Sequence, residues 1–275
     1  MTRLLHGDNL LALRQLEGEG VVVDLAYLDP PFLTNETFRM KDGRVAFDDR
    51  WPDRSTYMAE LAKRLVIIHR LLAPHASLVI HVDPRVSHYV KVWCDDTFGA
   101  DAFTSEVIWR YRHWPVKAPR FQRVHDILLH YRKDPSVSGR WNQLHEPPAE
   151  STLRRWGRKR QISEHSDGRR GRTVATSEET PGALLGDVWE IGNIAPVAKE
   201  RTGYPTQKPE ALLSRVVSAL SNPGDLILDS YVGSGTTLAV AVRLGRRAIG
   251  IDASEVAIEI ASKRLGIASI ERVAG

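Results

Sequence analysis

The chain of 275 residues has a single cysteine and no long run of apolar residues. One cysteine cannot form an intramolecular disulfide, so Cys94 is expected to be a buried apolar residue. Because no segment is apolar over the length of a membrane span or a signal peptide, neither feature is predicted. These absences predict a cytoplasmic protein that relies on a hydrophobic core for its stability.

Metal-binding patterns are also missing. The ten histidines are scattered along the sequence and show none of the spacings that hold a metal ion, so no metal site is predicted. The net charge of +4 and a pI near 9.2 suit a polyanionic partner, although many soluble proteins are mildly basic. The length allows one large domain, or one domain with an insertion.

The first informative segment is a short apolar run that ends at two prolines. Val21–Leu28 is rich in β-branched residues, which predicts a buried strand. Pro30 and Pro31 must end that strand, because neither can donate a ladder hydrogen bond. Asp29 and the carbonyl of Pro30 then lie at the carboxyl edge of a sheet, where α/β folds bind ligands. With Phe32 beside them, these acceptors suit a planar ring that carries an amino group; an ordinary turn is the alternative.

A second constellation lies near the other end of the chain. Asp225–Asp229 predicts a strand, Ser230–Thr237 a glycine-containing turn, and Leu238–Leu244 a helix. A further strand, Arg247–Ile251, ends at Asp252, which is placed to accept hydrogen bonds from ribose hydroxyls. Strand, glycines, helix, strand and acid in this order predict a nucleoside site.

Two features that the glycine turn lacks narrow the choice of ligand for that site. Leu238 stands where a dinucleotide fingerprint needs a third glycine, and the segment has no lysine followed by serine or threonine, as a P-loop needs. A nucleoside without phosphates fits better. S-adenosylmethionine offers an ammonium group to Asp229, a carboxylate to backbone N–H groups, and ribose hydroxyls to Asp252.

Together the two motifs resemble those of the β-class DNA amino-methyltransferases. The catalytic motif of that family is usually Asp-Pro-Pro-Tyr, which Asp29–Phe32 matches with Phe for Tyr. Its cofactor motif often reads Asp-Pro-Phe-x-Gly-Ser-Gly-Thr-Thr, which Asp229–Thr237 matches with Ser for Pro and Tyr for Phe. Gly7–Asp8 resembles the early Gly-Asp of the family, and Tyr204–Pro209 resembles the block before the cofactor strand, which usually begins with His.

The order of the motifs is that of the β-class permutation, with the catalytic motif first and the cofactor motif last. The resemblance implies an α/β fold with a mostly parallel sheet and helices on both faces. This is the Rossmann-like methyltransferase fold in circularly permuted form, with an inserted target-recognition segment. It predicts a catalytic domain in two parts, residues 1–139 and 204–275, separated by an insert at residues 140–203.

The motifs and the resemblance also define candidate site residues. The candidate catalytic residues are Asp29, Pro30, Pro31 and Phe32. The candidate cofactor-binding residues are Asp8, Thr206, Lys208, Asp229, Ser230, Tyr231, Gly233, Ser234, Gly235, Thr236, Thr237, Asp252 and Ala253.

Two basic segments are candidates for DNA contact. Residues 151–172 carry eight Arg and Lys side chains against two acidic ones and show little apolar periodicity. Such a run is a solvated face or a target-recognition segment. A second cluster, residues 110–123, interleaves basic and aromatic side chains. The candidate DNA-binding residues are Arg110, Arg112, Lys117, Arg120, Arg154, Arg155, Arg158, Lys159, Arg160, Arg169, Arg170 and Arg172.

The predicted function is methyl transfer to the exocyclic amine of a flipped base in double-stranded DNA. Asp29 favours adenine N6, and cytosine N4 is the alternative. Methylation at cytosine C5 is excluded, because it needs a thiolate and Cys94 lies in no such motif. A dinucleotide oxidoreductase, a methyltransferase for RNA or protein glutamine, and a nonenzymatic DNA-binding protein are more distant alternatives. The sequence leaves open whether the chain forms a homodimer.

Overall fold

The computed structural model describes residues 2–166 and 169–273, and the side chains of residues 164–172 lie outside the description. The chain forms two compact units. The larger contains Met1–Asn142 and Asp187–Gly275, and the smaller contains Gln143–Gly186. The smaller unit lies within the predicted insert at 140–203, whose role in target recognition stays a prediction.

The strands and helices alternate through most of the chain. The strands are β1 (Thr2–His6), β2 (Val23–Leu28), β3 (Thr37–Arg39), β4 (Val45–Asp48), β5 (Leu72–Val82), β6 (Phe103–Arg110), β7 (His125–Arg132), β8 (His145–Glu146), β9 (Lys159–Ser166), β10 (Arg169–Glu179), β11 (Ala183–Leu184), β12 (Val188–Glu190), β13 (Leu226–Asp229), β14 (Arg247–Asp252) and β15 (Glu271–Arg272). The helices are α1 (Asn9–Gly18), α2 (Arg54–Leu71), α3 (Ser87–Phe98), α4 (Glu150–Trp156), α5 (Glu210–Leu220), α6 (Thr236–Arg243) and α7 (Glu255–Leu265).

Nine of these strands form the central sheet of the larger unit, in the order β12-β6-β7-β5-β2-β13-β14-β1-β15. Neighbouring strands run parallel except at β7, which is antiparallel to β5 and β6. The predicted mostly parallel α/β sheet is therefore confirmed. At its centre β2 pairs with β13, so the two ends of the chain supply adjacent strands, as a permuted fold requires.

Local sequence explains where the helices begin and end. Ser254 caps α7 by accepting a hydrogen bond from the Ala257 N–H, and Gly266 ends that helix in the left-handed conformation. Pro209 stands at the N-cap of α5. Helix α2 ends at Leu71, and β5 begins directly at Leu72, two residues before Pro74. The pairing of β5 with β2 is irregular across this proline. The regular ladder therefore does not need the backbone N–H that proline lacks.

The core of the larger unit lies between the sheet and its helices. Leu13 of α1, Leu65 of α2 and the strand residues Leu28, Ile80 and Leu228 are fully buried, and each contributes about 2 kcal/mol of transfer free energy. Cys94 is buried as expected, and burial raises the pKa of its thiol. Among the described helices, none is long and apolar enough to cross a membrane.

The smaller unit contains the basic run. Its backbone forms α4 and the antiparallel pair β9–β10, together with a short pairing of β8 with β11. The sequence shows little apolar periodicity in this segment, in agreement with α4, none of whose residues is buried. Backbone pairing of β9 with β10 and of β8 with β11 connects the strands of this unit.

Candidate functional site

The two sequence motifs meet at one edge of the sheet. Because β2 and β13 are parallel neighbours, the residues at their carboxyl ends, Asp29 and Asp229, lie at the same edge. A cleft opens there. It is lined by all four candidate catalytic residues and, from the second half of the chain, by Tyr204, Thr206, Lys208, Tyr231, Gly233 and Asp252.

The two carboxylate oxygens of Asp29 differ in their hydrogen bonding. Its Oδ2 accepts a hydrogen bond of 2.5 Å from the ammonium of Lys208. Its Oδ1 is buried and has no hydrogen-bond partner among the described residues; Nδ1 of His81 lies 3.8 Å away. A buried acceptor without a donor costs about 1–3 kcal/mol. The site is thus arranged to receive an N–H or O–H donor at Oδ1.

The turn after Asp29 is braced by Asp49, which sequence reasoning did not single out. The Asp49 carboxylate accepts hydrogen bonds from the backbone N–H groups of Phe32, Leu33 and Thr34 and from the Trp51 indole. Leu33 has a φ of 57°, an unfavourable conformation for a residue with a side chain. Asp49 therefore holds a strained turn in place beside the candidate catalytic residues.

Aromatic rings form one wall of the cleft. Phe38 and Phe47, from the hairpin of β3 and β4, stack with centroids 4.6 Å apart, and Phe47 stacks on Tyr204 at 6.3 Å. The segment between Leu33 and Trp51, which follows the candidate catalytic residues along the chain, thus contributes directly to the cleft. The wall and Phe32 give it the surface that a planar ring requires.

A second cavity continues from this cleft and is lined by the candidate cofactor residues Asp8, Ser230, Tyr231, Asp252 and Ala253. Tyr231 and Asp252 line both cavities, so the two form one continuous site.

The loop that carries Ser230 and Tyr231 is fixed by a polar network from the first part of the chain. The Asn9 amide donates to the Ser230 carbonyl at 2.9 Å, and Arg64 donates to Asn9 and to Asp8. The network joins the early Gly-Asp segment to the cofactor motif.

Two buried carboxylates give this part of the site its electrostatic character. Asp252 accepts hydrogen bonds from the N–H groups of Gly233 and Ser254, and Asp229 accepts one from Tyr231. Burial raises the pKa of Asp229 to about 7 and also raises the pKa of Asp252. Such carboxylates favour a ligand with a cationic group or hydroxyl donors, which matches the ammonium and ribose of S-adenosylmethionine.

Five further candidate cofactor residues surround a small cavity between Asp29 and Asp229. It is lined by Thr206, Lys208, Ser234, Thr236 and Thr237. Thr206 has a φ of 61°, and such strain in a non-glycine residue is common where a ligand is clamped.

The two glycines of the cofactor turn have different surroundings. Both have positive φ angles, 48° at Gly233 and 76° at Gly235. A Cβ at Gly233 would lie 3.2 Å from the Tyr204 ring, at the wall of the cleft. A Cβ at Gly235 would lie 3.0 Å from that of Ala261 in α7. Gly235 therefore allows α6 to approach α7, and it lines none of the three cavities described above.

The first basic cluster occupies the connection between β6 and β7. Since β6 runs in the same direction as β5 and β2, this connection leaves the sheet at the edge that carries Asp29. Arg110 pairs with Glu190, and Trp114 and Phe121 are almost fully exposed. Arg112, Lys117 and Arg120 are exposed as well.

In the smaller unit the basic side chains are exposed and weakly paired. Arg154 pairs with Glu150 and Arg160 with Glu178, and surface pairs of this kind contribute little free energy. The guanidinium of Arg155 lies 5.0 Å from the ring centroid of Trp156. Arg158 and Lys159 are exposed too. The side chains of Arg169, Arg170 and Arg172 lie outside the described part of the chain.

Several residues of the site were not among the candidates. Asp49, Phe38 and Phe47 lie in a segment without a periodic pattern, so no sequence signal identified them. Arg64 lies on α2 and is only 13% exposed at its side chain, and a basic residue within a largely apolar helix stripe was the available signal. Among the side chains that the structure describes, those of residues 2–163 and 173–273, no cluster of three or more His, Cys, Asp or Glu residues could hold a metal ion.

Comparison with known proteins relates this geometry to a family. A family model described as DNA methylase, for N6 and N4 methyltransferases, matches residues 23–263. The DNA adenine methyltransferase YhdJ of Escherichia coli (strain K12) is 28% identical over 267 residues, which cover 97% of this chain and 83% of YhdJ.

Solved structures share the fold at low sequence identity. The crystal structure of the M1.HpyAVI–SAM complex superposes with a TM-score of 0.60 at 20% identity, covering 96% of this chain and 99% of the other. The PvuII DNA methyltransferase, which is cytosine-N4-specific, gives a TM-score of 0.61 at 14% identity, covering 96% and 87%.

Proposed function

Because this chain belongs to the N6/N4 DNA methylase family, we propose that it methylates the N6 amine of adenine in double-stranded DNA at the Asp29 end of the cleft. The observation that carries the proposal is the buried Oδ1 of Asp29, an acceptor without a donor beside an aromatic wall. S-adenosylmethionine supplies a methyl group made electrophilic by its sulfonium.

Asp29 and the Pro30 carbonyl accept hydrogen bonds from the target amine. An exocyclic amine is a poor nucleophile because its lone pair is delocalised into the ring. Acceptors at both N–H groups localise that lone pair and stabilise the positive charge that develops on nitrogen. The ammonium of Lys208, bound to Oδ2, balances the charge of Asp29 and leaves Oδ1 for the substrate. Phe32 and the aromatic wall hold the flipped ring.

The cofactor end of the cleft is assigned to the two buried carboxylates and the residues around them. Asp252 accepts from ribose hydroxyls, and Asp229 accepts from the ammonium group of the cofactor. The methionine carboxylate is bound by backbone N–H groups of the glycine turn. Tyr231 and Asp8, which line the second cavity, contact the adenine ring of the cofactor. These assignments rest on the buried carboxylates and on the continuity of the two cavities.

The identity of the target base is tested by mass spectrometry of nucleosides from duplex DNA treated with the protein and S-adenosylmethionine. We expect N6-methyladenine, because the catalytic segment begins with Asp29. Accumulation of N4-methylcytosine alone would replace adenine by cytosine as the target and leave the mechanism unchanged. Absence of both products would contradict the proposed function.

The affinity for S-adenosylmethionine is expected to fall as the pH is lowered. Asp229 binds the cationic ammonium only when ionised, and its pKa is raised to about 7 by burial. Between pH 7.5 and 6 it gains a proton, so calorimetry should show roughly a threefold to tenfold weaker affinity at pH 6, about 1 kcal/mol. In Asp229→Asn the affinity should be lower and nearly constant over this range. A wild-type affinity that does not change with pH would contradict the assigned role of Asp229.

Phe32→Ala is expected to weaken the complex with the flipped base. Stacking of a base on an aromatic ring is worth about 1–3 kcal/mol, so the KM for DNA should rise while the affinity for the cofactor stays unchanged. The fluorescence of 2-aminopurine at the target position reports flipping directly. Phe32→Tyr, which restores the residue usual in the family, is the control and should behave as the wild type. Equal flipping in the alanine variant would remove Phe32 from the base-binding surface.

A further inference from the structure

A chain of buried polar groups lies behind Asp29. His81, on β5, is fully buried, and its Nδ1 lies 2.7 Å from the Tyr27 hydroxyl and 3.8 Å from Oδ1 of Asp29. Its Nε2 lies 3.2 Å from Oδ2 of Asp126 on β7. The other Asp126 oxygen accepts from the Tyr111 hydroxyl at 3.0 Å. Three neighbouring strands thus place an imidazole between two carboxylates.

The stability of the sheet does not require this buried polar cluster. Burying a carboxylate in a core costs several kcal/mol unless it is paired, and Asp126 is only 8% exposed. Burial alone would raise the pKa of Asp126, but the hydrogen bond from His81 and the nearby charges outweigh it and leave that pKa lowered. Asp126 therefore stays ionised beside His81. An ionised carboxylate can only accept hydrogen bonds, so Asp126 holds the His81 ring in one orientation.

The hydrogen bonds define which ring nitrogen of His81 can accept a proton. Asp126, as a carboxylate, can only accept, so Nε2 of His81 must carry the proton of the neutral ring. Nδ1 is then an acceptor. The Tyr27 hydroxyl donates to it in the resting site, and the same nitrogen faces Oδ1 of Asp29. The basic nitrogen of the imidazole, to which the Tyr27 hydroxyl donates at rest, thus also faces the group assigned to the target amine.

We propose that His81 and Asp126 form a positioning and proton-accepting pair that acts through Asp29; this rests on the proposed function. As the bond from nitrogen to the methyl carbon forms and the carbon–sulfur bond breaks, the amine nitrogen becomes cationic. Asp29 takes one N–H proton and passes it to Nδ1 of His81. The Tyr27 hydroxyl turns away, and the imidazolium rests between Asp29 and Asp126 until the proton leaves for solvent. Asp29 is thereby returned to its ionised form.

The groups that face His81 limit which residues could exchange a proton with its ring. Tyr27 and Asp29 face it from β2 and its following turn, and Asp126 faces it from β7. Phe32 and Trp109 contact its ring with centroids 5.7 and 5.6 Å away. Lys208 reaches only the far oxygen of Asp29, and Asp83, also buried, pairs with Arg123 and Arg85.

The test compares the wild type, His81→Gln and Asp126→Asn in single-turnover methylation over a pH series at saturating S-adenosylmethionine. The wild-type rate should fall at acid pH, because a protonated His81 cannot take up another proton. His81→Gln should lower the rate about 10- to 100-fold and remove that acid limb, with the KM for DNA and the cofactor affinity within about twofold of wild type. Asp126→Asn should lower the rate in the same direction. Tyr27→Phe, which removes a hydrogen bond to the same ring, should keep the limb.

A second readout does not depend on turnover. ¹⁵N NMR of the histidine rings, with the His81 signals assigned by their loss in His81→Gln, reports the tautomer in the cofactor-free protein. We expect the proton on Nε2 in the wild type and a reduced preference for that tautomer in Asp126→Asn. A neutral ring protonated at Nδ1 would overturn the proposal, because no free nitrogen would then face Asp29.

Three outcomes separate this proposal from the one on which it rests. A rate in His81→Gln that falls equally at every pH, with the acid limb retained, would show a structural brace and overturn the proton-accepting role. The same conclusion follows if Tyr27→Phe loses the limb. If the wild type forms neither N6-methyladenine nor N4-methylcytosine in duplex DNA, the proposed function fails, whatever His81 does.

Discussion

Replacing Asp29 with alanine is expected to reduce methyl transfer at least ~100-fold, which corresponds to about 3 kcal/mol of transition-state stabilisation. Asp29 carries the buried oxygen that has no donor in the described structure, and it is proposed to stabilise charge that develops only in the transition state. The affinity for S-adenosylmethionine should stay within about threefold, because the residues assigned to the cofactor lie beyond Asp29 in the cleft.

The measurement is the single-turnover rate with duplex DNA, beside a calorimetric titration of the cofactor. Asp96→Ala, which removes an exposed carboxylate of α3, is the matched control and should leave both values unchanged. Near-normal turnover in Asp29→Ala would refute the mechanism. Asp29→Ala also leaves the ammonium of Lys208 without its partner, so Lys208→Met in the same background shows how much of any loss comes from that cation.

Neutralising four arginines of the smaller unit is expected to weaken DNA binding by roughly a thousandfold near 0.1 M salt. Each phosphate contact contributes about 0.9 to the slope of log K against log salt. Replacing Arg154, Arg155, Arg158 and Arg160 with glutamine should therefore flatten that slope by about 3 to 4 units. All four side chains are exposed, and their acidic partners hold them only weakly. The affinity for S-adenosylmethionine should not change.

The control for this variant removes the same charge from helices of the larger unit. Arg14, Lys63, Arg70 and Lys263 are exposed residues of α1, α2 and α7, and their replacement by glutamine should change the slope far less. If the two quadruple variants have the same slope and affinity, the run at 151–172 is the solvated face that its composition also allows. Loss of discrimination at one base position, with single replacements, would identify an arginine that reads a base edge.

The sequence predicted those parts of the site that depend on short segments. Asp29 follows β2 because two prolines must end a strand, and Asp252 is the last residue of β14 because an apolar run stops there. Both signals lie within a few residues of the group that they position. The mostly parallel sheet followed from the same alternation of apolar strands and helices.

The remaining parts of the site depend on contacts between distant segments. Asp49 is one of several acids in a polar segment, and only the folded turn shows that its carboxylate receives the N–H groups of Phe32, Leu33 and Thr34. His81 was visible as a polar residue in the apolar strand β5. Its partner Asp126 is 45 residues away, so the sequence could not show the pair.

The central claim is that the two ends of the cleft hold different reactants. The most direct test measures the cofactor affinity and the single-turnover rate of Asp29→Ala and Asp252→Ala side by side. We expect Asp29→Ala to bind S-adenosylmethionine normally and to transfer the methyl group at least ~100-fold more slowly. Asp252→Ala should lose most of its cofactor affinity. Loss of cofactor binding in Asp29→Ala, or unchanged affinity in Asp252→Ala, would contradict this division of the cleft.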